Sequence, residues 1–408
     1  MTAMEPTSTE TDSTAPGATL LARFAGRRLR LGTRRSALAL AQSGMIAAQL
    51  RARVGCAVDL VPIITAGDRS PAEISQIGGT GVFVSALRDA LLAGEIDLAV
   101  HSLKDLPTAT PPGLVLAAVP TREDTRDVLV SPSGRGLAAL GPGARVATGA
   151  PRRAAQLRAL GLGLDVVAIR GNVDTRLKKA IDGEVDAVVL AYAGLARLDR
   201  LDAVTEILEP EVMLPAPGQG ALAVECAGGT GLRLAGPARA LVASDGAAGD
   251  VGAAGDVGAA AGGDGERVGR GQGPYVGQVG GQTRSDHGQP VDGGLAELLR
   301  FVLDDASSSV AVRAERAFLA GIEAGCTAPV GALAVAAPAP VAAVGTMTPA
   351  GDAPPAGRLR LRAVVAAPDG TTVLRRDVTG SAVDPEALGQ RLADDLLSAG
   401  AHSLMGIR

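Results

Sequence analysis

The chain of 408 residues predicts an α/β fold made of two consecutive α/β domains followed by a small C-terminal α+β domain. Three observations lead to this prediction. Apolar strands alternate with helices over residues 28–119, which is typical of a parallel sheet covered by helices. The same alternation restarts over residues 127–198. From residue 295 onward, helices and strands come in separate groups, which indicates an α+β unit.

The first α/β domain is predicted to comprise residues 27–121 and a returning segment at 218–227. Its first strand is "RLRLG" (28–32), and apolar residues then recur at helical spacing up to residue 53. The continuous apolar run "VDLVPIIT" predicts a strand that is buried on both faces. The remaining predicted elements are a helix at 82–94, strands at 97–102 and 114–119, and the returning strand at 218–226.

The second α/β domain is predicted to comprise residues 122–217. Pro151 favours a helix that starts there, because proline fits the first helical position. The segment 186–198 reads as a strand that runs into a helix. The other predicted elements are strands at 127–131, 144–149 and 166–171, and helices at 151–160 and 172–181.

The α+β domain is predicted to comprise residues 295–408. It opens with two helices, "LAELLRFVLDD" and "SVAVRAERAFLAGIEAG", and closes with a third at 385–401. Between them, "PDG" at 368–370 is a hairpin turn signal that joins two strands. Cys326 follows the second helix, and Gly and Pro neighbours place its thiol on a loop.

Two segments are predicted to lie outside these domains. Residues 1–26 are rich in Ser, Thr and acidic residues, lack the basic and apolar regions of a signal peptide, and are expected to form a disordered tail. Residues 228–294 are Gly-rich and of low complexity. Such a segment cannot bury enough apolar surface to offset its ordering entropy, so we expect a flexible insertion.

Composition narrows the class of protein. A net charge of −4 and an aromatic content of 1% argue against nucleic-acid binding, which favours basic surfaces and stacking rings. The three cysteines are widely spaced without a C-x-x-C pair, so neither a zinc site nor a disulfide framework is expected. No apolar run reaches membrane-spanning length. We therefore expect a metal-free cytoplasmic protein that binds neither nucleic acid nor membrane.

Arginines recur where predicted strands end and helices begin. In an open parallel sheet, ligands bind at the carboxyl ends of the strands, and helix N-termini there favour anions. Guanidinium groups match carboxylates with two parallel hydrogen bonds. The pattern predicts a ligand with several carboxylates, although any one pair alone is as well explained as ordinary surface arginine. These residues are Arg34, Arg35, Arg152, Arg153, Arg170 and Arg176.

The stretch "AVHSLKDLPT" ends another predicted strand with polar residues. Asp105 is either half of a plain ion pair with Lys104 or a carboxylate that stabilises a developing cation. His101 is more often a packed residue than a base in such a position. The segment 64–83 is either a lid or a surface loop. The thiol of Cys326 is a nucleophile, a group used once to form a permanent bond, or a purely structural cysteine.

Taken together, these stretches resemble the porphobilinogen deaminase (hydroxymethylbilane synthase) family. The resemblance covers residues 28–226 and 295–403, and eight motifs stand in the family's order. They are "GTRRSALALAQ", "GGTGVF", "DLAVHSLKDLPT", "REDTRDVLVS", "IRGNVDTRL", "LPAPGQGALAVEC", "AERAFLAGIEAGCTAPVGA" and "APDGTTV". The resemblance implies two α/β domains like those of periplasmic-binding proteins and a small α+β domain.

The resemblance also implies an activity. Family members condense four porphobilinogen molecules head to tail, release four ammonia molecules, and produce the linear tetrapyrrole hydroxymethylbilane. The chain grows on a dipyrromethane cofactor joined by a thioether to a loop cysteine, which Cys326 matches. Asp105 matches the catalytic acid, whose charge would stabilise the azafulvenium cation left when ammonia departs.

Further roles are implied for residues at matching motif positions. Arg34, Arg170 and Phe83 match substrate-binding residues, and Phe83 would pack over the pyrroles from the lid. The resemblance also implies a monomer. The implied cofactor-binding residues are Ser36, Lys104, Thr148, Arg152, Arg153, Arg176 and Gln219.

The sequence departs from the family pattern at four places. Thr80 and Ser85 stand where lid lysines are common, and Gly149 and Ala150 where hydroxyl residues are common. Two alternatives remain open at this point. One is a non-catalytic anion-binding protein of the periplasmic-binding type, which would not need Cys326. The other is a degenerate scaffold, which would be expected to lack Asp105 or Cys326.

Overall fold

The structure is a computed structural model whose described residues are 16–63, 84–228, 294–325, 328–337 and 357–405. Three predictions fall outside them: the lid at 64–83 with Phe83, nearly all of the insertion at 228–294, and Cys326.

The described residues form three sheets and the helices that cover them. The strands are β1 (Arg28–Thr33), β2 (Ala57–Pro62), β3 (Leu98–Ser102), β4 (Leu114–Ala118), β5 (Asp127–Val130), β6 (Arg145–Thr148), β7 (Asp165–Ala168), β8 (Ala187–Ala191), β9 (Glu206–Leu208), β10 (Leu222–Ala227), β11 (Val330–Ala336), β12 (Arg358–Ala366) and β13 (Val373–Ser381). The helices are α1 (Pro16–Phe24), α2 (Ala37–Val54), α3 (Ser85–Leu92), α4 (Pro151–Ala159), α5 (Val173–Ile181), α6 (Tyr192–Ala196), α7 (Leu295–Leu303), α8 (Ala306–Gly321), α9 (Pro385–Ser398) and α10 (Ala401–Leu404).

The two α/β domains contain sheets of the same design, which confirms the predicted α/β class. The first has the strand order β2-β1-β3-β10-β4 and the second β7-β6-β8-β5-β9. In each, four strands run in the same direction, and one strand, β10 or β5, runs antiparallel to both neighbours. Both antiparallel strands arrive from the other domain. They therefore enter their sheet at the edge where the parallel strands end, and the sheets are mixed rather than wholly parallel.

The C-terminal sheet is an antiparallel meander, β11-β12-β13. Helices α8 and α9 pack against each other and against this sheet. Phe318, Leu361 and Leu392 lie fully buried in the core between them. The predicted α+β unit is thus present, with its hairpin turn at the predicted position.

The predicted start of the C-terminal domain at residue 295 is wrong. Helix α7 packs on the sheet of the first domain, where Leu298, Leu299 and Val302 share a core with Leu31 and Leu50. The apolar spacing of this helix predicts a buried face but does not say which sheet covers it. The C-terminal domain therefore begins after α7.

The predicted disordered tail is also too long. Residues 16–24 form α1, and Phe24 is completely buried in the core of the first domain. Its ring lies within 6 Å of the guanidinium carbons of Arg23 and Arg27. The residues before α1 are polar and predict disorder for this end of the chain. A helix of only nine residues is too short to change that prediction.

Candidate active site

Asp105 is presented to solvent by a tight turn at the end of β3. The turn is a 3₁₀-helix over Leu103–Asp105, anchored by the buried side chains of Leu103 and Leu106. Gly218 packs directly on it with a φ of 74°, and a Cβ at that position would lie 2.4 Å from Cδ2 of Leu103. Only glycine tolerates both this φ and this close approach. The segment that returns from the second domain to the first therefore holds the turn in place.

Gln219 connects this turn to the second domain. Its side chain is 1% exposed, and its Oε1 accepts a hydrogen bond from Nζ of Lys104 at 3.3 Å. Its Nε2 donates to the carbonyl oxygen of Thr125 at 2.7 Å and to Oδ1 of Asp127 at 2.8 Å. A single buried amide thus links the residue next to Asp105 with the first strand of the second sheet.

Asp127 is the centre of a buried charge cluster that the sequence did not reveal. Its carboxylate is 0% exposed and accepts from Nη2 of Arg152 at 2.8 Å and from Nη2 and Nε of Arg153 at 2.8 and 3.1 Å. Burial alone would raise its pKa, but the charges of the two arginines and the hydrogen bonds hold that pKa at about 2. Asp127 is therefore ionised at neutral pH.

Arg152 and Arg153 lie where the sequence predicts, in the first turn of α4 after β6. Each is only 4% exposed, however, and much of their hydrogen-bonding capacity is used inside the protein. Arg153 also donates through Nη1 to the carbonyl oxygen of Val189 at 2.9 Å, and Arg152 to that of Leu214. With Asp127 they carry a net charge of +1 rather than +2.

Arg176 is a cation of the second domain whose charge interacts with that of Asp105. It lies one turn into α5, is half-buried, and donates from Nε to the carbonyl oxygen of Gly171 at 2.9 Å. Burial and the nearby charges of Arg153 and Arg170 lower its pKa, while the charge of Asp105 opposes that shift. These groups, from two domains, therefore lie close enough to sense one another's charge.

The pKa of Lys104 is also shifted by the charges of these neighbours. Burial and the charges of Arg153 and Arg152 lower its pKa from 10.5 to about 8, against the opposing charges of Asp105 and Asp127. With Arg170 and Arg176, the group comprises five cations and two carboxylates, which are Asp127 and the exposed Asp105 itself. Such an excess of positive charge favours an anionic ligand.

Two other predicted residues lie at the end of β1, which is parallel to β3 and pairs with it. Arg34 is half-buried directly after β1, and the hydroxyl of Ser36 caps α2 by accepting from the amide of Ala39 at 3.3 Å. Gln42, which the sequence did not single out, donates to Oγ of Ser102 at 3.0 Å. Helix α2 is thereby fixed to the end of the strand that leads to Asp105.

The departure at Gly149 has a steric reason. A Cβ there would lie 2.8 Å from the carbonyl oxygen of Ile169 and 3.3 Å from Nη2 of Arg176. Thr148 is buried before it, and its Oγ1 accepts from the amide of Ala150 at 3.3 Å. In this chain the space of a side chain at position 149 is taken by the strand end and the guanidinium of Arg176.

His101 is packed, as expected, rather than placed as a base. It is buried, with Nε2 3.2 Å from Oε2 of Glu225. Arg88 of α3 binds the same carboxylate at 2.8 and 3.0 Å. Although burial alone would raise it, the pKa of Glu225 is held at about 2 by these two partners.

The described residues on either side of Cys326 are fixed to the same region. Before it, Arg316 of α8 donates to the carbonyl oxygen of Leu106 at 2.9 Å, next to the Asp105 turn. After it, the amide of Ala332 donates to the carbonyl oxygen of Pro215 at 2.9 Å. Both flanks of the loop thus contact segments that carry site residues.

Glu315 joins the domains at this point. Its carboxylate is 0% exposed and accepts two hydrogen bonds from Arg122, at 2.7 and 2.9 Å. It also accepts from the amides of Gly218 at 2.6 Å and Ala334 at 2.8 Å. One side chain of α8 therefore binds both segments that connect the two α/β domains, and also the C-terminal sheet. No local sequence pattern indicates this role.

Fold and site together define a protein of two α/β domains and a small α+β domain, in which an exposed carboxylate lies among cations that suit a polycarboxylate ligand. Two family models match the chain: "Porphobilinogen deaminase, dipyromethane cofactor binding domain" over residues 29–231 and "Porphobilinogen deaminase, C-terminal domain" over residues 309–398. The chain belongs to the porphobilinogen deaminase family. The second match begins after α7, in agreement with the packing of that helix on the first domain.

Curated relatives agree over nearly the whole chain. The chain is 45% identical to porphobilinogen deaminase 1 of Streptomyces coelicolor, over 94% of this chain and 98% of that protein. It is 45% identical to porphobilinogen deaminase of Nocardia farcinica (93% and 88%) and 44% identical to that of Mycobacterium bovis (93% and 99%). Among solved structures, the VFT2 domain of BvgS from Bordetella pertussis is similar at 16% identity and a TM-score of 0.33, over 52% of this chain and 85% of that one.

Within the described ranges, no helix combines the length and the apolar character needed to span a membrane.

Proposed function

We propose that this chain is a hydroxymethylbilane synthase that joins four porphobilinogen molecules head to tail and releases four ammonia molecules. Family membership over nearly the full length supports the reaction class. The observation that carries the proposal is the exposed carboxylate of Asp105 beside the cations of two domains. This arrangement suits a substrate that carries carboxylates and becomes a cation during the reaction.

The residues present fit a dipyrromethane cofactor. Each of its two rings carries an acetate and a propionate. The site formed by Asp105, Asp127 and the five cations around them, which we call the cleft, has three more cations than carboxylates. We propose that Lys104, Arg153 and Arg176 neutralise these groups, because their charges act on one another and on Asp105. When bound, the cofactor supplies the nucleophilic ring carbon to which the first substrate is joined. The other proposed contacts are Ser36, Thr148, Arg152 and Gln219.

The contacts divide the proposed cofactor-binding residues into two groups. Arg152 is buried against Asp127, and Gln219 spans Lys104 and Asp127. We propose that these two residues act mainly by fixing the positions and charges of Arg153 and Lys104. Arg34, Arg170 and Phe83 are proposed to receive the substrate.

The role of Asp105 follows from charge. Departure of ammonia from the substrate leaves a cation, and a carboxylate at van der Waals distance stabilises that cation more than it stabilises the neutral substrate. Selective stabilisation of the charge that develops is what lowers the barrier.

We propose that Cys326 forms the permanent thioether to the cofactor. The contacts of Arg316 with the segment after Asp105, and of Ala332 with Pro215, support this by fixing both flanks of the loop close to the cleft. A bond formed once needs no activating base. We further propose that the enzyme is a cytoplasmic monomer that needs no metal. Size-exclusion chromatography with light scattering would test the oligomeric state, and an activity assay in EDTA would test the metal requirement.

The direct experiment is incubation of the purified full-length chain with porphobilinogen. We expect four ammonia molecules per hydroxymethylbilane. Asp105→Asn keeps the shape but removes the charge, so turnover should fall at least about 100-fold while the melting temperature stays unchanged. Asp174→Asn, at an exposed ion pair with Arg200, is the matched control. Binding of porphobilinogen without ammonia release would instead support a non-catalytic binding protein.

A further inference from the structure

The outer face of the C-terminal sheet carries an unusual density of arginine. Along β12, buried Leu359 and Leu361 alternate with Arg358, Arg360 and Arg362 on the opposite face. Cross-strand pairing of Arg362 with Asp377 places Arg375, two residues earlier on β13, on the same face. Four guanidinium groups therefore point away from the helices of this domain.

Part of this face forms one wall of a cavity of about 510 Å³. The opposite wall comes from the second domain and includes Glu211 and Leu214. Arg360, Arg362 and Arg375 line the cavity. We call it the β12–β13 groove. None of its lining residues belongs to the proposed cleft around Asp105.

Some of the charge in the groove is compensated from within the protein. Glu211 accepts from Nη1 of Arg362 at 2.6 Å, and Asp377 pairs with Arg360. Arg376 lines the groove but faces the helix side, where Nε lies 3.3 Å from Oδ2 of Asp395. These pairs leave the two carboxylates of the groove occupied.

Arg375 is not compensated in this way. Among the described residues it has no carboxylate within ion-pair distance, and its contact is Nη2 to Oε1 of Gln156 at 3.3 Å. Partial burial and the neighbouring charge of Arg362 lower the pKa of Arg375, with Glu211 opposing. The residue is nevertheless exposed and lines the groove, where an incoming anion could reach it.

We propose that the β12–β13 groove is a second anion site, which binds a small carboxylate- or phosphate-bearing molecule through Arg375 with support from Arg362. A guanidinium with unused donors can form two parallel hydrogen bonds with either anion. Partial removal from water strengthens that attraction relative to an ordinary surface arginine. The cavity is large enough for a molecule of the size of citrate.

The groove borders the buried cluster of the cleft. Oε1 of Gln156 accepts from Arg375 and from the amide of Leu214, at 3.3 and 2.9 Å, and Nε2 of Gln156 donates back to the carbonyl oxygen of Leu214 at 3.1 Å. That same carbonyl accepts from Arg152, which binds Asp127. An anion bound to Arg375 would therefore compete with Gln156 for the guanidinium of Arg375. Gln156 in turn helps to place Arg152, since both donate to the carbonyl oxygen of Leu214.

The test is calorimetric titration of the purified full-length chain with citrate and, separately, with inorganic phosphate, at constant ionic strength. Arg375→Gln is expected to weaken the groove site at least about tenfold, since a charged hydrogen-bonded pair is lost. Arg391→Gln, an exposed arginine on α9, is the matched control and should bind as the unaltered chain does. Binding of citrate alone would identify the ligand class as carboxylates, and binding of both probes as small oxyanions in general.

Arg176→Gln separates this site from the cleft. The groove site should persist in that variant with unchanged affinity. The proposal is overturned if Arg375→Gln binds both probes as tightly as the unaltered chain, if Arg176→Gln abolishes all binding, or if neither probe binds at millimolar concentration. Because the readout is binding rather than turnover, these outcomes do not depend on the proposed reaction.

Discussion

Two arginine regions that look alike in the sequence behave differently in the structure. Arg152 and Arg153 start α4 after a strand, and Arg176 lies in the first turns of α5 after another strand. The first two are buried against Asp127, whereas Arg176 has no ion pair in the described part of the chain. We propose that Asp127 fixes the positions of both buried arginines, whereas Arg176 keeps its guanidinium for a carboxylate of the ligand.

The strongest way to break this comparison is to remove the counter-charge. Asp127→Asn leaves two buried guanidinium groups without an anion, and losing one partner of a buried pair costs about 3–5 kcal/mol. Urea unfolding at neutral pH should show that loss. Asp182→Asn, in an exposed pair with Lys178 at 2.6 Å, should leave the urea midpoint nearly unchanged, because solvent screens such a pair. A similar small loss in both variants would contradict the role of Asp127.

The other half of the comparison is tested by Arg176→Gln. The expected effect is on turnover, with a kcat lowered about tenfold or more, because a charged hydrogen bond that positions the cofactor is lost. Stability should change little, since Nε of Arg176 makes one backbone hydrogen bond and no ion pair in the described structure. Arg200→Gln at the surface serves as the control. A large drop in melting temperature with an unchanged kcat would make Arg176 structural instead.

Lys104 sharpens the comparison as an intermediate case. Its pKa of about 8, lowered from 10.5, means that its charge opposes folding below pH 8. Lys104→Met should therefore stabilise the fold by about 1–2 kcal/mol at pH 7 while weakening ligand binding. The stability gap should close as the pH rises from 8 toward 10.5, because the unaltered chain then loses the unfavourable proton. A gap that is absent at pH 7, or that widens with pH, would contradict this electrostatic account.

The sequence predicted much of the fold because its signals are local. Apolar runs and helical spacing placed the strands of both α/β sheets, and "PDG" placed the β12–β13 turn. Helix α7 was assigned to the wrong domain because amphipathic spacing predicts burial and not the partner. Strand β9, with only three residues, was too short to be noticed.

The site was predicted in part for a related reason. Strand ends and residue types identified Asp105 and the arginines as candidates. Asp127 and Glu315 escaped notice because their partners are far away in sequence: Asp127 binds arginines 25 and 26 residues later, and Glu315 binds Arg122 across 193 residues. Each carboxylate reads alone as an ordinary charged residue, and only the folded chain shows that it is buried and paired.

The central claim is that this cleft holds a dipyrromethane cofactor on Cys326, and intact-mass spectrometry of the purified chain tests it most directly. The account predicts an added mass equal to two porphobilinogen units less two ammonia molecules, absent from Cys326→Ser and present in Cys226→Ser, which alters a buried thiol in β10. An unaltered chain that turns over porphobilinogen while showing only its bare mass, or an adduct that persists in Cys326→Ser, would contradict it.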